Sequence, residues 1–164
     1  MRLKTFIHFA IVIPFAIALM AAKPTVTYQT QCVSLETDGY ITLKIWDTKI
    51  GSKYTPEQAR KDAIHALLYS GIAGENGCTT QSPMLGKPEA EEKFGKIEKD
   101  FFSKNGKWAQ YTRSAATETT LPESIGKKDW KVYQVNVSKN ELRKFLEDQS
   151  IIEKPIIKSL KDGF

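Results

Sequence analysis

Histidine and cysteine are scarce in this sequence. The 164 residues include two histidines and two cysteines, and His8 lies in the apolar segment at the start of the chain. A Ser-His or Cys-His catalytic pair in the remainder would therefore have to use His65. One histidine and two cysteines provide no zinc site of familiar ligand spacing. The sequence thus predicts no metal and no other cofactor.

Phosphate-binding motifs and internal repeats are also missing. No Gly-Lys-Ser or Gly-Lys-Thr occurs, and Gly71, Gly74 and Gly77 follow a predicted helix, whereas a phosphate-binding loop precedes one.

Hydrophobic residues make up 41% of the chain and charged residues 26%, which excludes a wholly disordered chain and a multi-pass membrane protein. The length favours a single domain.

The first 22 residues have the pattern of an export signal. Residues 1–4 are basic, and residues 5–22 are almost uninterrupted apolar sequence that ends in small residues. We expect cleavage after Ala21 or Ala22, which leaves residues 23–164 as one domain with no stable membrane span. No cysteine ends the apolar run, which argues against a lipoprotein anchor. An uncleaved N-terminal anchor is the alternative.

Export changes how the charge is interpreted. Loss of Arg2 and Lys4 with the signal lowers the formal charge from +5 to +3. A charge this small gives little support to nucleic-acid binding, so we expect no nucleic-acid partner. For a Gram-negative bacterium, the predicted location is the periplasm or the extracellular space.

Export also gives a meaning to the two cysteines. Cys32 and Cys78 would meet an oxidising compartment, where an even cysteine count favours pairing. A disulfide between them would close a loop worth about 4 kcal/mol in the chain-entropy model. The alternatives are two free thiols, or mixed pairing with another chain.

The hydrophobic pattern predicts an α+β fold, in which helices pack on one face of a small, mainly antiparallel sheet. Residues 23–31 have no apolar period and are expected to be a lead-in segment. Thr55 and Pro56 mark a helix start, and the alanines of that helix suggest close packing on a sheet. Ser138 and Glu141 form a capping box. The predicted strands are 33–47, 107–114 and 130–137. A turn or bulge is expected at Asp38-Gly39 in the first of them. The predicted helices are 56–70, 88–103 and 139–149, which gives the order β-α-α-β-β-α, with a partly docked tail at 151–164.

The long loop 71–83 is the first candidate for a binding surface, because long irregular loops in compact domains are often functional. The second is the loop 117–128. Lys127, Lys128 and Lys131 form a small basic patch around Trp130, which we expect to be ordinary surface; a contact surface for an anionic glycan or partner is the alternative. The carboxylate pairs Glu57/Asp62 and Glu91/Glu92 are expected to be solvated, and Asn136-Val137-Ser138 to be a chance match to a glycosylation site. The binding-loop candidates are Gly74, Asn76, Gly77, Thr79, Thr80, Gln81 and Trp130.

Two segments together resemble a known family. They are Glu57-Gln58-Ala59-Arg60-Lys61-Asp62-Ala63-Ile64-His65-Ala66-Leu67-Leu68, and Trp130-Lys131-Val132-Tyr133-Gln134-Val135-Asn136-Val137 followed by Leu142-Arg143-Lys144-Phe145-Leu146. This alanine-rich helix and valine-alternating strand resemble small exported envelope domains related to the N-terminal domain of flagellar assembly protein T and its lipoprotein relatives. The chain departs from them in lacking a lipidation cysteine and in having the loop around Cys78 and the helix 88–103. The resemblance implies an envelope module without catalytic residues, and no site residue carries over.

The leading functional hypothesis is an exported, non-enzymatic accessory, assembly or binding module whose partner is an envelope protein or polymer. The alternative is a small exported hydrolase that uses Cys78 or Ser70 with His65. His65 lies off the alanine face of its helix, so we expect it to be a solvated or boundary residue.

Overall fold

Four strands form an antiparallel sheet in the computed structural model, which describes residues 26–35, 38–75, 77–118 and 130–155. The strands are β1 (Tyr28–Leu35), β2 (Tyr40–Asp47), β3 (Thr112–Glu118) and β4 (Val132–Ser138), and their order across the sheet is β1-β2-β4-β3. Helices surround one face of this sheet, which confirms the predicted α+β class. The predicted signal 1–22, the tail from 156 and residues 119–129 lie outside the described residues.

The first strand is longer than the sequence predicted. β1 and β2 form a hairpin, and the expected turn at Asp38-Gly39 lies between them with Gly39 at φ +87°. The expectation that residues 23–31 are only a lead-in was wrong from Tyr28 onward. Tyr28 and Cys32 face the core, but the polar Gln29 and Gln31 face away, so this edge strand shows too few apolar residues to be recognised.

The predicted helix start at Thr55 is confirmed. The Thr55 hydroxyl accepts a hydrogen bond from the Gln58 backbone N–H at 3.2 Å, and helix α1 (Pro56–His65) follows. Its buried Ala59 and Ala63 let the helix approach β2, β3 and β4 closely, as the alanine pattern predicted. A single π-helical turn (Ala66–Ser70) continues α1 and ends at Gly71.

The remaining helical segments differ in detail from the prediction. The helix expected over 88–103 is two helices, α2 (Pro88–Gly95) and α3 (Glu98–Phe101). The strand expected from residue 107 starts only at Thr112, because Lys107–Tyr111 is a 3-10 turn that buries Trp108 and Tyr111 three residues apart. Helix α4 (Lys139–Asp148) begins where predicted, but Ser138 ends β4 and makes no capping hydrogen bond through its side chain.

The core lies between the helices and one face of the sheet. Ile41, Leu43, Ile45, Val135 and Val137 are fully buried on that face. The helices bury apolar residues in the same cluster: Ala59, Ala63 and Ile64 from α1, Ala90 and Phe94 from α2, Phe101 from α3, and Leu142 and Leu146 from α4. Ile151, just after α4, is also part of this core. None of the helices in the described ranges is long and apolar enough to cross a membrane.

Candidate functional site

A disulfide joins the sheet to the long loop. Cys32 on β1 and Cys78 have an Sγ–Sγ distance of 2.00 Å and a Cα–Cα distance of 6.3 Å. Cys32 is fully buried and Cys78 is 9% exposed, so the bond lies inside the protein. The predicted pairing is confirmed, and no cysteine in the described part of the chain is free. Cys78 therefore offers no thiol nucleophile in this structure.

Backbone hydrogen bonds hold the same loop on both sides of the disulfide. Ile72 and Gln81 exchange N–H···O bonds of 2.8 and 2.9 Å, which closes the base of the loop. The Met84 and Leu85 N–H groups each donate at 2.9 Å to the carbonyls of Leu67 and Leu68 in the π-helical turn. We call residues 71–83 the anchored loop.

Two glycines let the anchored loop fold back on itself. Gly71 has φ +73°, and a Cβ atom there would lie 2.5 Å from the Gln81 carbonyl oxygen. A Cβ atom on Gly74 would lie 2.8 Å from the Thr80 backbone nitrogen. Both contacts are too short for any other residue, so these glycines are required by the close approach of two backbone segments.

The tip of the anchored loop is exposed. Gly74, Gly77, Thr79 and Thr80 face solvent, and Asn76 lies outside the described residues. Gln81 is half-buried and is already engaged, because its amide donates to the Thr79 carbonyl at 2.8 Å and accepts from Lys139 Nζ at 2.9 Å. Of the sequence candidates in this loop, Thr79 and Thr80 thus offer the most accessible side chains.

Trp130 is not close to the anchored loop. Its indole lies next to Gly51, in the turn after β2, and it precedes β4. Lys139, which contacts Gln81, follows the other end of β4. Because the seven residues of β4 span roughly 20 Å, Trp130 and the anchored loop form separate surfaces.

The sheet face opposite the helices is mainly polar. An Arg113 guanidinium lies 3.9 Å from the centre of the Tyr40 ring on this face, at the end of the sheet where Lys139 follows β4. Its polar side chains include Gln29, Gln31, Lys44, Gln134 and Asn136, while Trp46 and Val132 on the same face are buried.

A carboxylate that the sequence predicted to be solvated is buried. Asp62 is 8% exposed, and it accepts hydrogen bonds from the Tyr54 hydroxyl at 2.6 Å and the Gln58 amide at 2.9 Å. Burial raises the pKa of Asp62 in spite of these two bonds. The expectation for Asp62 was wrong, and its position between Ala59 and Ala63 on the helix was the available signal.

His65 and Ser70 do not bond to each other but share Tyr28. The Tyr28 hydroxyl lies 2.7 Å from His65 Nδ1 and 3.5 Å from Ser70 Oγ. Burial lowers the pKa of His65 and raises the pKa of Tyr28 to about 12. The tyrosine thus occupies the position that a serine nucleophile would need beside its histidine base. This arrangement is a structural hydrogen-bond cluster between β1 and α1.

The Asn136-Val137-Ser138 match and the search for metal ligands concern other parts of the described chain. Asn136 lies within β4, where its amide donates to the Thr42 hydroxyl at 3.1 Å, so the Asn136-Val137-Ser138 match lies in a paired strand. Across the described ranges, no group of three or more His, Cys, Asp or Glu side chains is placed to hold a metal ion.

Comparison of the chain with protein-family models, with curated proteins and with solved structures gives no match. The resemblance to the flagellar assembly protein T domains stays a prediction.

Proposed function

We propose that this chain is an exported, non-enzymatic binding or assembly module that recognises an envelope protein or polymer with its anchored loop. The observation that carries the proposal is the contrast within that loop. The disulfide, the Ile72–Gln81 pair and two hydrogen bonds to the π-helical turn hold its base, while Thr79 and Thr80 remain exposed. A rigid loop with an exposed tip loses little conformational entropy when it binds.

Two features support export. The buried Cys32–Cys78 bond is of a kind that persists in oxidising compartments and is rare in the cytosol. The apolar, small-ended sequence at residues 5–22 has the order that signal peptidase recognises. Together these two features support a periplasmic or extracellular location.

The same geometry favours binding over hydrolysis. Cys78 is oxidised, and the Ser70 hydroxyl is directed to Tyr28 rather than to His65. The hydrolase alternative therefore has neither of the nucleophile-base pairs that the sequence suggested. A recognition surface requires no such pair.

Affinity capture from an envelope extract tests the proposal. Deleting the loop would remove Cys78 and Gln81, so exposed single residues are better targets. Thr79→Arg and Thr80→Arg should remove the partner captured by the wild type, because a bulky cation at the tip blocks close contact. Gln110→Arg, at an exposed position in the 3-10 turn before β3, is the matched control and should capture the partner normally.

A fourth variant distinguishes the two candidate surfaces. Ser52→Arg places the same bulky cation in the exposed turn next to Trp130. If Ser52→Arg abolishes capture and both threonine variants retain it, the Trp130 end is the recognition surface and the anchored-loop proposal is wrong.

A further inference from the structure

A cavity of about 340 Å³ lies between the end of α3, the turn that follows it and the second half of α4. Its floor is aromatic and aliphatic: Phe101 is buried, and Phe145 and Ile97 are half-buried. The Phe101 and Phe145 rings are stacked with their centroids 5.6 Å apart. We call this the Phe145 cavity. Its volume is at the small end of the range for ligand pockets, which suits a molecule the size of an amino acid.

The wall opposite α4 is rigid. A Cβ atom on Gly106 would meet the Phe101 carbonyl oxygen at 2.0 Å, so the turn is in direct contact with the end of α3. The Trp108 indole N–H donates to the Ser103 carbonyl at 2.8 Å, and the Gly106 N–H donates to the same carbonyl at 3.0 Å. The Phe145 cavity is therefore formed before any ligand binds.

Two opposite charges line the cavity without neutralising each other. The Lys107 ammonium lies 5.2 Å from the centre of the Phe145 ring, and Asp100 is at the end of α3. Both side chains are exposed, and neither forms an ion pair within the described ranges. An apolar floor with one unpaired cation and one unpaired anion at its edge is complementary to a zwitterion with an aromatic group.

The larger groove of about 1260 Å³ between α2 and the end of α4 has no aromatic side chain in its lining. Some of its charged side chains pair with neighbours, as in Lys87–Glu153 at 3.2 Å and Arg143–Glu147 at 3.6 Å. A charged ligand in that groove would have to displace these pairs.

We propose that the Phe145 cavity binds a free aromatic amino acid. The ligand ring lies against Phe145 and Ile97, its carboxylate faces Lys107, and its ammonium group faces Asp100. This site is separate from the anchored loop, and it does not depend on the proposed function.

Chemical-shift titration of the ¹⁵N-labelled full chain with L-phenylalanine, phenethylamine, 3-phenylpropanoate and L-alanine tests the proposal. L-phenylalanine should shift the amides around residues 97–107 and 145–149 in a saturable way, and L-alanine should not. Phenethylamine, which lacks the carboxylate, and 3-phenylpropanoate, which lacks the ammonium group, should each bind about threefold more weakly, as expected for one exposed ion pair.

The variants should exchange these preferences. In Lys107→Met the preference for L-phenylalanine over phenethylamine should disappear, while its preference over 3-phenylpropanoate remains; Asp100→Asn should show the reverse. Phe145→Ala should abolish binding, and Phe145→Leu keeps an apolar wall if the alanine variant fails to fold. Lys99→Met, an exposed lysine of α3 outside the cavity, should bind like the wild type.

Three results would overturn the proposal. The first is the absence of a saturable shift at about 20 mM L-phenylalanine, a concentration well above the dissociation constant expected for a ligand of this size. The others are shifts confined to residues away from the cavity, and ligand preferences in Lys107→Met and Asp100→Asn that match those of the wild type.

Discussion

The hydroxyl of Tyr54 donates to a carboxylate that has almost no access to water. Tyr54 is fully buried, and Asp62 accepts from it at 2.6 Å. Tyr54→Phe should lower the free energy of unfolding by about 1–3 kcal/mol, the cost of leaving a buried acceptor with one partner fewer. Tyr111→Phe is the control, since the Tyr111 hydroxyl has no hydrogen bond in the described part of the chain. Denaturant unfolding of both variants at pH 7 gives the comparison, and equal losses would contradict this account of Asp62.

His65 should make stability depend on pH. Because burial lowers the pKa of folded His65 below its ordinary value of 6.5, the folded state disfavours the imidazolium form. Its contribution is therefore present above pH 6.5 and is lost as the pH falls through the lowered pKa of the folded state. Asp62 has the opposite effect, because its pKa is raised in the folded state. Its contribution to stability is present below pH 3.8 and is lost as the pH rises through the raised pKa.

The variant His65→Gln isolates the histidine contribution. It retains an acceptor for the Tyr28 hydroxyl but cannot titrate. The difference in unfolding free energy between wild type and variant should shrink as the pH is lowered from 7 to 5. A difference that is constant with pH would show that the imidazole does not titrate in this window.

At the level of single residues, the sequence predicted the positions of chemical groups better than their environments. It placed Thr55 at the helix start because one local hydrogen bond defines a cap. For Asp62, the position between Ala59 and Ala63 was a local signal of burial, but its partner Tyr54 lies outside the helix and could not be predicted. The hydrogen bond between Tyr28 and His65 was not predicted either, because the two residues are 37 positions apart in the sequence.

At the level of elements, the anchored loop depends on the conformation of Gly71. Gly71→Ala should destabilise the protein by about 2 kcal/mol or more, because it combines a left-handed backbone with a Cβ contact of 2.5 Å to the Gln81 carbonyl oxygen. Gly95→Ala, at the end of α2, is the matched substitution, and a Cβ atom there meets nothing within 4 Å.

The second variant should be neutral or should stabilise the protein by up to about 1 kcal/mol, since alanine favours a helix over glycine. Thermal unfolding of the two variants side by side measures both effects. Similar melting temperatures for Gly71→Ala and the wild type would mean that the loop does not require this backbone conformation.

Elements with a local signal were predicted, and those defined by distant contacts were not. Helix α1 has a cap, a first-turn proline and a run of alanines, all readable from neighbouring residues. β1 is an edge strand that is defined by its pairing with β2, and the Lys107–Tyr111 turn is defined by burial of Trp108 under Arg60 and Lys61. The Phe145 cavity was missed for the same reason, because α3, α4 and the turn meet only in the folded chain.

At the level of the whole molecule, the disulfide is the main covalent constraint. Cys32 and Cys78 are separated by 46 positions, so the bond should contribute about 4 kcal/mol by restricting the unfolded chain. The double variant Cys32→Ala/Cys78→Ala should lose about that amount in denaturant unfolding, as should the reduced wild type. A reduced protein as stable as the oxidised one would show that the bond does not contribute in this way.

The proposed function requires that the tip of the anchored loop contacts a partner in the cell envelope. Site-specific photo-crosslinking in living cells tests it most directly, with the photoreactive residue at position 80 and, as the control, at position 110. Both positions are exposed, and both lie outside the core. We expect a discrete crosslinked product in the envelope fraction from position 80 and none from position 110. Equal crosslinking from both positions, or no product from position 80, would contradict it.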